Sequence, residues 1–374
     1  MNQQIHDFVP PSAELVALGE PTHSEPAFQW TRNAVFAQLV AAGFRSIALE
    51  TDRVAAWKVN DYVLGRGGDL DDVLATGFTH TFGSLAGNRA LVEWLRTHNA
   101  AAADPADRVR FHGFDLPTEM TSAPSPRTYL EHTRDYLALD WDIAALTGPD
   151  DDWSREEAVL DPKRSPGATP ASDRLRTLAD DLLSLLYVRA PALVAATSHE
   201  SWLRAHTHCT AALGLLRYHR TAATDTDLRT RISLLSAVRD AQMAQNLLDI
   251  RHHESPRGAT LVSAHNLHLQ RPLCTWSSPL TTLDWPSAGS ILTAVSQDYF
   301  FIPSTTDDLQ LPTPPPPSSS WHLLPPNHLR SAPPRTSPHP DRGYFPLDQA
   351  TIDTADAILQ IMDTTKTTNE LKDT

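Results

Sequence analysis

Three short apolar runs lie far apart in this 374-residue chain, and each ends in acids or histidines. Leu15-Val16-Ala17-Leu18 leads into Gly19-Glu20-Pro21-Thr22-His23, Ile47-Ala48-Leu49 into Glu50, and Thr260-Leu261-Val262-Ser263 into Ala264-His265-Asn266-Leu267-His268. Runs of this length read as strands, and the stretches between them carry helical periodicity. Short strands alternating with helices favour a parallel sheet with crossover connections. The expected fold is therefore α/β: a mainly parallel sheet with crossover helices plus a large inserted helical section. In such sheets ligands bind beyond the carboxyl ends of the strands, so Glu20, His23, Glu50, His265 and His268 should converge on one cleft. A further strand over residues 109–114 would deliver Asp115.

The periodicity divides the chain into three parts. Residues 1–147 form an N-terminal α/β part. Its first helix, over residues 26–42, places Phe28, Val35, Phe36, Leu39 and Val40 on one face, with Gly43 as the stop. Residues 148–255 form a helical section, in which 148–170 read as a surface loop and Leu175, Leu178, Leu182, Leu183 and Leu186 repeat at helical spacing. Residues 256–374 form a C-terminal α/β part. It contains a segment, 312–346, with twelve prolines, which block helix interiors and central strands. That segment reads as a loop, either an exposed connector or a flap over the substrate anchored by Tyr344 and Phe345. The polar residues 365–374 should fray. A net charge of −14 argues against nucleic acid or an anionic membrane as partner. No apolar window is long enough to span a bilayer, and the N-terminus lacks the basic-then-apolar pattern of a secretory signal, so a cytoplasmic location is expected. Cys209 and Cys274 have no paired spacing and should be buried thiols.

Several ordered segments resemble one known family. Residues 18–65 are similar to the N-terminal signature of the erythromycin esterase family, a Gly-Glu-x-x-His turn followed by a long helix ending in Gly-Phe. Here these are Gly19-Glu20-Pro21-Thr22-His23, Arg32 within the helix, and Gly43-Phe44. Glu50 matches the family's strand-end glutamate, and Val59-Asn60-Asp61-Tyr62-Val63 continues the likeness. Leu91-Val92-Glu93-Trp94-Leu95-Arg96-Thr97-His98-Asn99, Phe111-His112-Gly113-Phe114-Asp115-Leu116 and Ser125-Pro126-Arg127-Thr128-Tyr129-Leu130 follow in order. So do Arg239-Asp240-Ala241-Gln242-Met243-Ala244-Gln245-Asn246 and His265-Asn266-Leu267-His268, with a weaker echo over residues 356–361. The resemblance implies an erythromycin-esterase-like fold and a metal-independent hydrolase whose catalytic base is His23. Two departures stand out: Ser24 replaces the glycine usual after that histidine, and Ala27 replaces the usual acid four positions on. They point to a specialised member rather than a macrolide-resistance enzyme.

The residue types suit that chemistry. A histidine titrates near neutrality, so His23 can take a proton from water and return it to a leaving alkoxide. Glu20 and Glu50 would orient it and stabilise the imidazolium. His265 and His268 would donate to a tetrahedral oxyanion, while Asn266 would cap the following turn. Arg32 could orient a carboxylate, bind the oxyanion or form a plain ion pair; Arg53 is a second candidate partner for the glutamates or the substrate. Asp115 could support the site or cap a turn, and Trp202, with Tyr218 and Trp153, could line the substrate cleft. Arg239 and Asn246, on a helix, read as supporting residues. His23, His265, His268 and a carboxylate have the chemistry of a zinc site, but the His-Glu-x-x-His spacing is absent, so neither metal nor other cofactor is expected. No Gly-x-Ser-x-Gly elbow marks a serine nucleophile. The expected activity is hydrolysis of an ester or lactone of a bulky natural product, a small molecule. The alternatives are a biosynthetic enzyme running acyl transfer, cyclisation or elimination at the same site, and a binding protein without turnover.

Overall fold

The computed structural model describes residues 5, 8–119, 121–277, 282–296, 298–306, 320–326 and 343–372. Its strands are β1 (Leu15–Glu20), β2 (Ser46–Asp52), β3 (Arg110–Asp115), β4 (Thr260–His265), β5 (Cys274–Ser277), β6 (Thr282–Trp285), β7 (Tyr299–Ile302), β8 (Ser304–Thr305), β9 (Trp321–Leu324) and β10 (Ile358–Ile361). The first eight helices are α1 (Pro26–Ala41), α2 (Ala56–Val63), α3 (Leu70–Gly77), α4 (Ala86–Ala101), α5 (Arg127–Tyr136), α6 (Ile143–Thr147), α7 (Asp151–Ser154) and α8 (Glu156–Leu160). They are followed by α9 (Pro170–Val188), α10 (Ala190–Ala196), α11 (His199–Ala222), α12 (Leu228–Glu254), α13 (Asn266–Leu269), α14 (Ala288–Val295), α15 (Gln349–Thr354) and α16 (Thr364–Lys372).

The central sheet has the order β3-β2-β4-β1-β7, and every neighbouring pair in it is parallel. β4 comes from the C-terminal part yet lies between β1 and β2, so Glu20 pairs in register with His265. That order sets three of the chemistry-bearing strand ends side by side. Side chains alternate across the sheet. Val16, Leu18, Ile47, Leu49, Phe111 and Leu261 pack under Val35, Phe36, Leu39, Leu91 and Leu95 of α1 and α4. On the other face Ala17, Ala48, Phe114 and Val262 meet Met243, Leu247 and Ile250 of α12, with Leu292 of α14. The layer of α5, α9 and α11 has its own core around Leu130, Leu175, Leu182, Leu203 and Cys209. Both cysteines are free and buried.

α1 begins with proline at its first position, where a missing N–H costs nothing. It stops because Gly43 adopts φ 104°. The Gly43 N–H then returns to Val40 O at 3.1 Å and the Phe44 N–H to Leu39 O at 3.0 Å, closing the exposed carbonyls of the last turn.

Three expectations need correction. Residues 148–170 are not a bare surface loop: α7 and α8 form there, and Trp153 is only 2% exposed, with its indole N–H on Thr147 O at 2.8 Å. Helices this short complete too few turns to show a period. The proline-rich segment contains a strand, since β9 pairs antiparallel with β10; its residues 312–319 and 327–342 lie outside the described residues. The tail does not fray through residue 372. α16 forms, and Thr367 is fully buried, donating its hydroxyl to Asp363 O and Ser320 O.

Candidate active site

Glu20 is the last residue of β1, and His23 follows in the turn that enters α1. Gly19 is required just before them: a Cβ there would stand 2.2 Å from Asn266 Oδ1. Asn266 is not a turn cap. Its amide donates to Ser304 O at 2.9 Å and its oxygen accepts the Ser304 N–H at 3.2 Å, which ties the end of β4 to β8.

His23 Nδ1 donates to Glu20 Oε1 at 2.7 Å, and its Nε2 stands 3.7 Å from Glu50 Oε2. Glu50 is the hub of the cluster. Its Oε2 accepts the His265 backbone N–H at 2.9 Å. Its Oε1 stands 3.4 Å from His268 Nε2 and accepts Arg239 Nη2 at 3.2 Å. His268 Nδ1 is held by Asp240 at 2.5 Å, and the other Asp240 oxygen accepts the Trp285 indole N–H at 2.5 Å. Arg239 also forks onto Asp115, Nε to Oδ1 at 2.9 Å and Nη2 to Oδ2 at 2.5 Å. Asp115 Oδ2 is in turn 3.1 Å from His80 Nε2.

The electrostatics follow from these contacts. Burial alone would push His23 down, but the Glu50 charge and the Glu20 hydrogen bond outweigh it and hold its pKa above the usual histidine value. Burial would push Glu50 up; His268, His23, Arg239 and the His265 N–H outweigh it, and its carboxyl sits far below the usual range. Burial also opposes protonation of His268, yet Asp240 and Glu50 raise its pKa. His265 goes the other way, pushed down to about 3 by burial and the neighbouring His23 charge.

The geometry assigns His265 differently from the sequence. Its Nε2–H donates to Pro21 O at 2.9 Å, and its Nδ1 accepts the Leu267 N–H at 3.1 Å. Both ring nitrogens are committed, so this imidazole locks the Glu20-Pro21-Thr22-His23 turn to the end of β4 and has no donor left for an oxyanion. Arg32 joins the site from α1: it is 5% exposed and lined up with Glu20, His23, Glu50, Asn88 and Ser263 around a cavity of about 20 Å³, room for one water molecule. Arg32 Nη2 donates to Asn88 Oδ1 at 2.8 Å, and burial lowers its pKa to about 10.

Arg53 and Trp202 are not brought to this cluster. Arg53 turns to α12, where Nη1 donates to Asn246 O at 2.7 Å and Nη2 pairs with Asp249. Trp202 is buried in the α9–α11 core, its indole N–H on Leu186 O at 2.9 Å. Sequence reasoning missed His80 and Asp240 and underrated Arg239. Arg239 and Asp240 are adjacent in the sequence; neighbouring helical residues splay apart, which here lets one reach Asp115 and the other His268. His80 had no signal at all. Among the described residues no group of three or more His, Cys, Asp or Glu is arranged to hold a metal ion. No helix among them is long and apolar enough to cross a membrane.

Comparison with known proteins adds the context. Residues 40–321 match the family described as erythromycin esterase. A solved protein from Bacillus cereus is 17% identical, with a TM-score of 0.63, covering 96% of this chain and 90% of that one. A succinoglycan biosynthesis protein is 18% identical, with a TM-score of 0.62 and coverage of 94% and 88%. A mutant of the erythromycin esterase EreC in its open conformation is 21% identical, with a TM-score of 0.55 and coverage of 82% and 74%. At these identities the solved structures speak for the fold.

Proposed function

Because the chain belongs to the erythromycin esterase family, we propose that it hydrolyses an ester or lactone of a bulky natural product, with His23 as general base toward water. The observation that carries this reading is the placement of His23 between two carboxylates, 2.7 Å from Glu20 and 3.7 Å from Glu50. With Nδ1–H given to Glu20, the neutral ring keeps its lone pair on Nε2, the nitrogen that faces the reacting water. Nε2 removes a proton as the water oxygen attacks the acyl carbon, and the imidazolium that forms lies between Glu20 and Glu50. The same proton then passes to the leaving alkoxide, releasing a carboxylic acid and an alcohol.

The carbonyl oxygen becomes an oxyanion during attack and needs positive donors. His268 and Arg32 would supply them: His268 Nε2 stands 3.4 Å from Glu50, and Arg32 lines the cavity beside His23, while Arg239 stays committed to Asp115 and Glu50. Removing one such donor typically costs 10²–10³ in rate.

The test is mass spectrometry of reactions with macrolactones and acylated natural products in ¹⁸O-labelled water. Label in the released carboxylate is expected, with turnover abolished in His23→Ala and its circular dichroism unchanged. An unlabelled acyl group passed to another alcohol would replace hydrolysis by acyl transfer. Near-normal turnover in His23→Ala would remove His23 as the base.

A further inference from the structure

His80 is held in a conformation that a non-glycine residue seldom adopts. His80 and Thr81 have φ 56° and 59°, two successive residues in the left-handed region. The turn is clamped from both sides. The Thr79 N–H donates to Thr51 Oγ1 at 2.8 Å and Thr79 Oγ1 accepts the Asp52 N–H at 3.1 Å. On the far side the Ser84 hydroxyl donates to Thr81 O at 2.8 Å, and Asn88 Nδ2 to Phe82 O at 2.9 Å. Strain that is over-determined in this way, beside a reactive cluster, commonly serves a function.

What the strain achieves is a two-pronged donor. The backbone N–H of His80 and its ring Nδ1 point the same way and hold the two oxygens of one carboxylate, Glu119, at 3.0 and 2.9 Å. The opposite ring edge is braced, Nε2 lying 3.1 Å from Asp115 Oδ2. The Phe82 ring bridges this group to the catalytic base, with centroids 5.4 Å from His80 and 4.7 Å from His23. Glu119 is a poor permanent partner: its side chain is 53% exposed, and it sits on a tight turn closed by its own backbone bonds to Ser122.

We propose that His80 forms a carboxylate-binding subsite beside the catalytic centre, filled in this structure by Glu119, and that a carboxylate on the acyl part of the ligand displaces Glu119 from it. The role in turnover rests on the hydrolase reading above, because ester hydrolysis leaves a carboxylate next to His23; the subsite itself does not. With carboxylates on both ring edges the pKa of His80 is held above the usual histidine value: burial opposes protonation, but the Asp115 hydrogen bond and charge outweigh it. Bonds from a charged donor to a carboxylate are the strong class of hydrogen bond, and two of them in parallel fix the orientation of the bound group.

Calorimetric titration with sodium propionate tests the subsite without any need for activity. Glu119→Gln removes the tethered competitor and should bind propionate about tenfold tighter than the unmodified chain. Adding His80→Asn, which tolerates the left-handed backbone and keeps its N–H but loses the ring donor, should return about tenfold of that gain. A Glu119→Gln variant that binds no more tightly, or a double variant that binds as tightly as Glu119→Gln, would overturn the proposal. Ester kinetics then separate the two sources of the carboxylate. If it belongs to the substrate, Glu119→Gln lowers KM only for esters whose acyl part carries a free carboxylate. If it is the product, the released acid becomes a stronger inhibitor with every ester. Absence of turnover on all esters would refute the hydrolase reading and leave the titration result standing.

Discussion

Replacing Glu20 by Gln separates the charge at the back of the base from its hydrogen bond. The Gln carbonyl can still accept His23 Nδ1–H where Glu20 Oε1 does, at 2.7 Å, so the tautomer with Nε2 free survives. What is lost is the negative charge that stabilises the imidazolium. A hydrogen bond to a charged group contributes about 1.5–3 kcal/mol, and about 1.4 kcal/mol is tenfold in rate. Glu50, at 3.7 Å from Nε2, remains and keeps the loss from growing further. The plateau kcat/KM should therefore fall by about 10- to 100-fold. The pH profile supplies a second, independent readout. The base works when neutral, so activity falls as pH drops through the His23 pKa. Burial lowers that pKa while Glu50 and Glu20 raise it above the usual value; without the Glu20 charge it moves down. The acid limb should shift to lower pH even as the plateau drops. Initial rates on a hydrolysed ester across the neutral and mildly acid range measure both. A plateau within twofold of the unmodified enzyme, or an acid limb that stays in place, would show that Glu20 is not coupled to the reacting imidazole.

Three stability predictions follow from buried groups. Burial pushes Asp52 from 3.8 up to about 7, so between those values the folded chain keeps a proton that the unfolded chain has released, and stability falls as pH rises through that window; Asp52→Asn, always neutral, should unfold at progressively higher urea than the unmodified chain from the bottom of the window to the top, and a pH-independent difference would refute the shift. Trp153→Ala empties a site that is 2% exposed and should cost about 3–5 kcal/mol in urea unfolding, whereas a surface loop would give almost nothing. Gly19→Ala brings a Cβ to 2.2 Å from Asn266 Oδ1 and should cost about 1–3 kcal/mol, with kcat falling because Asn266 is displaced from Ser304 at the end of β4.

The reactive strand ends were readable because strand parity is a short-range rule. Apolar runs at Leu15, Ile47 and Thr260 had to be strands of one sheet, and their ends had to meet, so Glu20, His23, Glu50 and His268 were found together. What the sequence could not carry were contacts decided by partners far along the chain. Arg239 reaches Asp115 across 124 residues, and nothing local to either marks the pair. His265 looked like its neighbour His268, and only the position of the Pro21 carbonyl distinguishes a locked imidazole from a free one. His80 was hidden for a different reason. Positive φ is usually announced by glycine or asparagine, but here it is imposed on His80 and Thr81 by hydroxyls and amides from β2 and α4, and the local Thr-His-Thr-Phe string is silent about it.

The same cluster shifts the pKa values of its imidazoles in opposite directions, His23 above the usual histidine value and His265 below it. His23 and His265 have ring centroids 5.4 Å apart; the His23 side chain is 30% exposed and His265 is buried, and desolvation pushes both toward the neutral form. His23 overcomes that because carboxylates face both of its nitrogens. His265 cannot, because its nitrogens meet a carbonyl oxygen and a backbone N–H, and it falls to about 3. A neutral His265 adds no charge beside His23, whereas a charged one would depress the base through the same repulsion that already lowers His265 itself. Environments that push neighbouring titratable groups apart are how one site assigns separate roles to like residues. On that reasoning His265→Lys, a permanent charge at the same place, should lower the His23 pKa and weaken the base. His265→Gln, neutral and able to donate to Pro21 O, should retain more activity than either His265→Lys or His265→Ala. If His265→Gln were as impaired as His265→Lys, the ring would have to touch the reacting atoms after all.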